Sequence, residues 1–189
     1  MDWEFPIEKE DLRIKLEDEG YNAYCIHTTG KSEVDIAMML NKLNTNVIAL
    51  PFLKLTHKSE NGVKSVTQKL ILPHYVFLYA PLDYAIEGIE KPKSQYFSFV
   101  KNVDSASFIL KGSDKQYAKW VLSSGGIIGM SKAIRVNGKV KIIEGPLIQL
   151  EGKIKEYSKK NRNCRIETTL FNRVISVWLP FTWIEEIKD

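Results

Sequence analysis

The chain has 189 residues, 44% hydrophobic and 26% charged, with ordinary numbers of glycine (11) and proline (7), which excludes a fibrous repeat and wholesale disorder. No apolar run approaches the ~18 residues that a membrane helix needs, and Met1-Asp2-Trp3-Glu4 lacks the basic start of a secretory signal, so a cytoplasmic protein with no membrane partner is expected. The net charge of +4 is unevenly spread: residues 1–20 hold 8 acidic and 3 basic side chains, whereas residues 113–189 hold 14 basic and 8 acidic. An acidic lead and a C-terminal part able to meet polyanions follow.

Along the chain, Glu8 to Glu19 can form a charged helix with Leu12 and Leu16 four residues apart. Tyr24-Cys25-Ile26-His27 reads as a buried strand ending at Thr28-Thr29-Gly30, and Ser32 then caps a helix carrying Val34, Ala37, Met38 and Leu40 to Leu43 at helical spacing. Val47 to Leu50 is a second apolar run. From Phe52 the pattern becomes a hairpin whose turn is Glu60-Asn61-Gly62 and whose return arm is Val63 to Leu72. Tyr75 to Tyr79 is an unbroken apolar run between Pro73 and Pro81, the pattern of a central strand covered on both faces. Tyr96 to Val100 reads as helical or irregular, and Asp114 to Leu122 as a helix with Tyr117, Ala118 and Val121 inward.

Ser123-Ser124-Gly125-Gly126 and the small residues that follow suggest a linker. Beyond Arg135 all predicted elements are short strands: Val140 to Ile143, Gly152 to Tyr157, Cys164 to Leu170, Val174 to Trp178 and Trp183 to Ile187, with turn signals between them. The chain is thus α+β: an α/β sandwich with a mixed sheet, then a small all-β barrel. The expected divisions are an acidic extension 1–20, an N-terminal domain 21–122, a linker 123–136 and a C-terminal domain 137–189.

Catalytic motifs are missing from the sequence. Gly145 to Lys153 mimics a phosphate loop but has six residues between its glycines where four are needed, and Ile154 where Ser or Thr must meet magnesium. His27, His57 and His74 have no nucleophile motif beside them. Cys25 and Cys164 form no CxxC and read as buried small hydrophobes. The expectation is a binding protein with no catalytic residue, cofactor or metal site.

Lys139-Val140-Lys141-Ile142-Ile143-Glu144-Gly145-Pro146-Leu147, followed by Leu150-Glu151-Gly152-Lys153-Ile154, resembles the KOW motif of NusG and ribosomal proteins, which implies an SH3-like barrel. Gly145 and Gly152 fall where such a barrel needs a positive φ or close backbone approach. The N-terminal part, with Leu72-Pro73-His74-Tyr75-Val76-Phe77-Leu78 and the segment from Asn102-Val103 to Gly112, resembles the NusG N-terminal (NGN) domain, with His74 where that family commonly has glycine. The resemblance to the NusG family runs over residues 23–188. Gly129-Met130-Ser131-Lys132 and Val177-Trp178-Leu179-Pro180-Phe181 look most like specialised antiterminator paralogues of the LoaP type.

This resemblance implies a transcription elongation and antitermination factor, expected as a monomer. Its N-terminal domain would grip the clamp helices of the largest RNA polymerase subunit through Ile26, Tyr75, Phe77 and Phe108. The same four side chains would equally serve as core, because an apolar strand must turn one side inward. For the KOW domain the LoaP likeness implies an RNA hairpin, and a general NusG implies a ribosomal protein or Rho. A KOW-type RNA-binding or ribosome-associated module without polymerase is the further alternative. The candidate RNA residues are Lys153, Lys155, Lys159, Lys160, Arg162, Arg165 and Arg173, where cations with few aromatics suit the phosphates of a folded RNA. Glu151, Glu156 and Glu167 oppose that field, and a solvated basic face is the other reading. One NusG paralogue type, RfaH, has a C-terminal domain that becomes a helical hairpin. Here Val140, Ile142, Val174, Ile175, Val177 and Trp178 favour strands, and Gly138, Gly145, Pro146 and Gly152 would interrupt helices, so a permanent barrel is expected.

Overall fold

The computed structural model describes residues 2–60, 63–86, 89, 96–101, 107–137, 139–148 and 153–184. Contacts divide the chain into Met1–Leu53 with Leu72–Ile127, and Lys54–Ile71 with Ile128–Asp189. This partition departs from the sequence-based limits in two places. The acidic lead belongs to the first unit, and the hairpin after Phe52 belongs with the C-terminal residues.

The first unit opens with a 3-10 turn, Ile7–Lys9, and α1, Glu10–Glu19. The lead packs onto this unit: Trp3 and Leu16 are each 1% exposed, and the Trp3 indole N–H donates to the Gly125 carbonyl at 3.0 Å. Gly126, at φ +84, lets the backbones close up there, because a Cβ would lie 2.7 Å from the Pro51 carbonyl oxygen and 3.2 Å from Trp3 Nε1. β1, Tyr21–Thr28, leads into α2, Glu33–Leu43, whose Ser32 hydroxyl accepts from the Asp35 N–H at 3.2 Å as an N-cap should. β2, Ile48–Leu50, β5, Tyr75–Pro81, and β6, Phe97–Phe99, complete a four-stranded sheet in the order β2-β5-β1-β6.

All three interfaces of this sheet are antiparallel, so it is not the mixed sheet expected. β1 and β2 do run the same way, as the crossover through α2 requires, but β5 inserts between them. β6 replaces the expected helical or irregular stretch, because Phe97 and Phe99 alternate with Ser98 along the edge of β1. α3, Gly112–Ser123, covers one face: the Phe52 ring meets Tyr117 and Trp120 at 5.3 and 5.0 Å, and the Tyr79 hydroxyl donates to the Ala118 carbonyl at 2.7 Å. Successive residues of β1 and β5 are buried, so both faces of the sheet are covered.

The second unit includes the hairpin arms β3, Leu53–Glu60, and β4, Val63–Leu70, neighbours in one sheet with the Thr56 and Thr67 hydroxyls 3.1 Å apart. Its five-stranded sheet has the order β10-β11-β12-β8-β9, from β8, Ser131–Val136; β9, Lys139–Glu144; β10, Ile154–Ser158; β11, Asn163–Leu170; and β12, Arg173–Trp183. The residues read as a linker thus contain the short β7, Ile127–Ile128, and all of β8, where Ser131 and Ala133 are fully buried. β12 extends the strand expected at Val174 to Trp178 as far as Trp183, and residues 185–187 of the further strand expected there lie outside the described residues. β12 pairs antiparallel with β11 as far as Pro180 and parallel with β8 from Phe181, and Pro180, which has no N–H to offer, marks the exchange.

Gly145 takes a backbone conformation that favours glycine. At φ +95 it passes so close to β8 that a Cβ would lie 2.8 Å from Ser131 Cα, while the Ser131 hydroxyl accepts the Leu147 N–H at 3.0 Å. The Leu170–Arg173 turn holds Phe171 and Asn172 at φ +52 and +57, the left-handed pair of a tight two-residue hairpin. From Lys139 onward all described regular elements except single turns are strands, as the β-forming residues predict. The expected Asn61-Gly62 turn, Gly138, Gly152, the 102–106 segment and the strand end beyond Ile184 lie outside the described residues. Among the described residues no helix is long and apolar enough to cross a membrane.

Candidate functional site

The start of β5 is pinned by a residue the sequence singled out. His74 has φ +70, the left-handed conformation that glycine takes most readily and histidine tolerates better than most side chains. Its N–H donates to the Glu33 carboxylate, and its carbonyl accepts from the Thr28 N–H at 2.8 Å. Glu33 is the first residue of α2 and is 6% exposed, so one carboxylate ties the α2 start to the β5 start. The His27 ring lies 5.3 Å from Tyr75 and 5.9 Å from His74, which makes a small aromatic cluster at this end of the sheet.

The four residues expected to contact polymerase do not form one exposed depression. Tyr75 and Phe77 lie on one face, opposite His27 and Cys25, as strand alternation requires. Phe77 is fully buried with its ring 5.9 Å from Tyr117 of α3. Ile26 pairs with Val76 and Phe99 on the other face and is also fully buried. Both belong to the core, because a strand covered on two sides has no face left to present. Tyr75 and Phe108 are half-buried; Phe108 packs 5.6 Å from Phe99 under the Lys101 ammonium. The accessible aromatic surface of the sheet end is therefore Tyr75 with His27 and His74, and Phe108 with Phe99.

The seven basic candidates are dispersed. Lys159, Lys160 and Arg162 surround the β10–β11 turn and are exposed. Lys153 and Lys155 flank Ile154 at the other end of β10, Lys155 in a register shift of the ladder. Arg173 sits where β12 begins, across the Leu170 pair, so the length of β11 separates it from the turn lysines by roughly 24 Å. Arg165 is not a free cation: its Nε donates to Glu156 at 3.2 Å, its other arm bonds Glu167, and the two carboxylates hold its pKa above the ordinary value. Lys54 of β3 donates to the Trp178 carbonyl, and burial together with Lys69 lowers its pKa.

Sequence reasoning missed Lys9 altogether. It is 5% exposed, and its ammonium donates to the carbonyls of Asn44, Thr45 and Val47 at 2.5, 2.9 and 3.1 Å, just past the C-terminal end of α2. That is where helix carbonyls lack partners and the helix dipole favours a cation. Burial lowers its pKa while neighbouring Glu8 raises it. No local pattern announces such a contact, since the partners lie more than thirty positions away. Burial also pushes the thiols up, Cys25 well above the ordinary range and Cys164 to about 12, which leaves both as packing groups. Among the described residues no cluster of three or more His, Cys, Asp or Glu side chains could hold a metal ion.

The class these features define is a two-unit α+β protein, a helix-covered sheet and a small β unit, each with polar or aromatic surface at its turns. No protein-family model matches the chain. Its sequence is similar to that of the transcription termination/antitermination protein NusG of Thermus thermophilus, 21% identical over an alignment 149 residues long that covers 72% of this chain and 78% of that protein. Among solved structures, one of Thermotoga maritima NusG concerned with domain interaction matches at 18% identity and a TM-score of 0.39, covering 85% of this chain and 93% of that one.

Proposed function

We propose that this protein is a transcription elongation and antitermination factor of NusG type, and more narrowly a specialised paralogue of the LoaP kind. The observation that carries the proposal is the similarity to NusG over 72% of the chain. The KOW-like turn adds support, because Gly145 meets both of the demands that motif makes on its glycine. The first unit would hold the clamp helices of the largest RNA polymerase subunit through the accessible aromatics Tyr75 and Phe108, not through Ile26 and Phe77. The action would be mechanical: a bridge over the nucleic-acid channel that keeps the clamp closed, with no bond made or broken by the protein.

The second unit would take a structured RNA through Lys159, Lys160 and Arg162. The ion-paired Arg165 and the distant Arg173 favour a second reading for this unit, a protein partner such as a ribosomal protein or Rho, as in a general NusG. Pull-down of core RNA polymerase by the tagged chain tests the central claim. We expect capture that falls about tenfold in Tyr75→Ala combined with Phe108→Ala, at unchanged thermal stability of the isolated chain beyond the cost of two half-buried rings. Full capture by the double variant would move the interface elsewhere. No capture by the unaltered chain would leave an RNA-binding or ribosome-associated module.

A further inference from the structure

The first unit carries a groove that neither proposed surface uses. One wall is the lead segment, fixed at two anchors: the Trp3 indole on the Gly125 carbonyl, and the Lys9 ammonium among three carbonyls beyond α2. The other wall is α2, whose Met38 and Lys42 lie four apart and so share a helix face. Between the walls is an open cavity of about 790 Å³, lined on its apolar side by Phe5, Ile7 and Met38. Ile7 is 86% exposed although its neighbours on both sides are held in place. With Phe5 and Met38 it makes the apolar lining continuous, and a contiguous apolar surface rimmed by polar residues marks an interaction site.

The charge around the groove selects the occupant. Glu4 and Glu8 line it, both exposed, and neither makes an ion pair among the described residues. The nearby cations are already engaged, Lys9 with the carbonyls and Arg13 between Glu10 and Glu17, which leaves Lys42 as the one lysine or arginine lining the groove. An acidic rim repels phosphate, so nucleic acid and anionic lipid headgroups are both disfavoured. The volume exceeds one side chain and suits the several apolar residues that an amphipathic helix presents at i, i+3 and i+4. We propose that this groove docks a basic amphipathic segment of a partner protein, its apolar side chains against Ile7 and Met38 and its lysines or arginines against Glu4 and Glu8. The groove shares no residue with the proposed polymerase and RNA surfaces, and the proposal stands or falls independently of them.

Fluorescence anisotropy with the full chain and labelled synthetic peptides tests the proposal. The probes are an amphipathic peptide of about 18 residues built from Leu and Lys, the same pattern in Leu and Glu, and a Ser and Lys peptide without an apolar face. We expect saturable binding of the Leu/Lys peptide, about tenfold or more tighter than either control. Ile7→Asp should weaken it about tenfold and Glu8→Lys about threefold; both residues are exposed, so thermal unfolding of the variants checks that the fold is retained. Equal binding of the Leu/Lys peptide by the Ile7→Asp variant would overturn the proposal, as would a Ser/Lys or Leu/Glu peptide that binds as well. A concentration-dependent dimer of the unaltered chain that Ile7→Asp abolishes would assign the groove to a second copy instead.

Discussion

The two units secure their chains by different means. In the first, large rings from distant elements converge: Phe52, Phe77, Tyr117 and Trp120 have centroids 5.0 to 5.9 Å apart, and Tyr21 meets Tyr79 edge-on at 5.6 Å. In the second, the buried side chains are mostly smaller, chiefly Ile142, Leu147, Ile166, Leu170 and Leu179, with Phe181 the one fully buried ring among the described residues, and tight turns recur. Of the five described non-glycine residues with positive φ, Asn137, Arg162, Phe171 and Asn172 belong to the second unit and only His74 to the first. Aromatic packing concentrates stability in a few irreplaceable side chains, whereas a turn-built sheet spreads it over backbone geometry. Core truncation should therefore hurt the first unit most, and turn substitutions should alter the second only slightly.

Phe77→Ala should be the costliest single change, about 3–5 kcal/mol by denaturant unfolding, because the ring is fully buried and its neighbours are themselves too large to collapse into the space. A cost below 1 kcal/mol would break the comparison by showing that the ring is not part of the core. Lys9→Met comes next. It keeps the length of the side chain but leaves the Asn44, Thr45 and Val47 carbonyls without their shared donor, and about 2–3 kcal/mol should be lost. Unchanged stability would mean that water replaces the ammonium at no penalty.

The third test uses pH. A thiol whose folded pKa is raised keeps a proton that the unfolded chain releases, so its contribution is fully present below pH 9.0 and is lost as pH rises toward the folded value, about 12 for Cys164. Cys25 acts in the same sense in the first unit, and Tyr79 and Tyr117 join above their ordinary 10.0. Lys9 has the opposite sign: burial holds it below 10.5, so its share of stability increases as pH climbs to that value. Unfolding followed from pH 8 to 11 should show falling stability, with a slope that Cys164→Ala reduces by up to about 1.4 kcal/mol per pH unit. An identical slope in the variant would show that Cys164 titrates normally. The smallest effect belongs to the turn: Asn172→Gly, at φ +57, should change stability by less than about 1 kcal/mol and in the stabilising direction. A clear loss would show that the Asn172 side chain, not the backbone angle, secures the hairpin.

Local pattern carried much of this architecture. Tyr75 to Tyr79 announced a strand covered on both faces, Ser32 announced its helix, and Gly145 announced a close approach, because each signal is written within a few residues of its effect. What the pattern could not carry is contact between distant residues. Trp3 looks like part of a charged tail until Gly125 and Gly126 are placed beside it, and Lys9 looks solvated until the end of α2 is. The candidate binding residues fared likewise. Alternation put Tyr75 and Phe77 on one face, but only the packing of α3 shows that Phe77 is covered. The seven candidate cations are close in sequence, yet cross-strand pairing spends Arg165 on two glutamates and the β11 ladder carries Arg173 away.

The bond from the Trp3 indole to the Gly125 carbonyl joins residues 122 positions apart, and it sets a schedule for biosynthesis. At ~5–20 residues per second, the lead segment must wait on the order of ten seconds on the ribosome before its seat emerges. Through that interval the Trp3 indole N–H lacks the carbonyl that it bonds in the finished unit. The hairpin Lys54–Ile71 waits as well, over a shorter stretch, since the rest of its unit begins at Ile128. The first unit thus closes on one of its own earliest residues, and a ribosome stalled before Gly125 would hold a chain whose lead has not yet found that anchor.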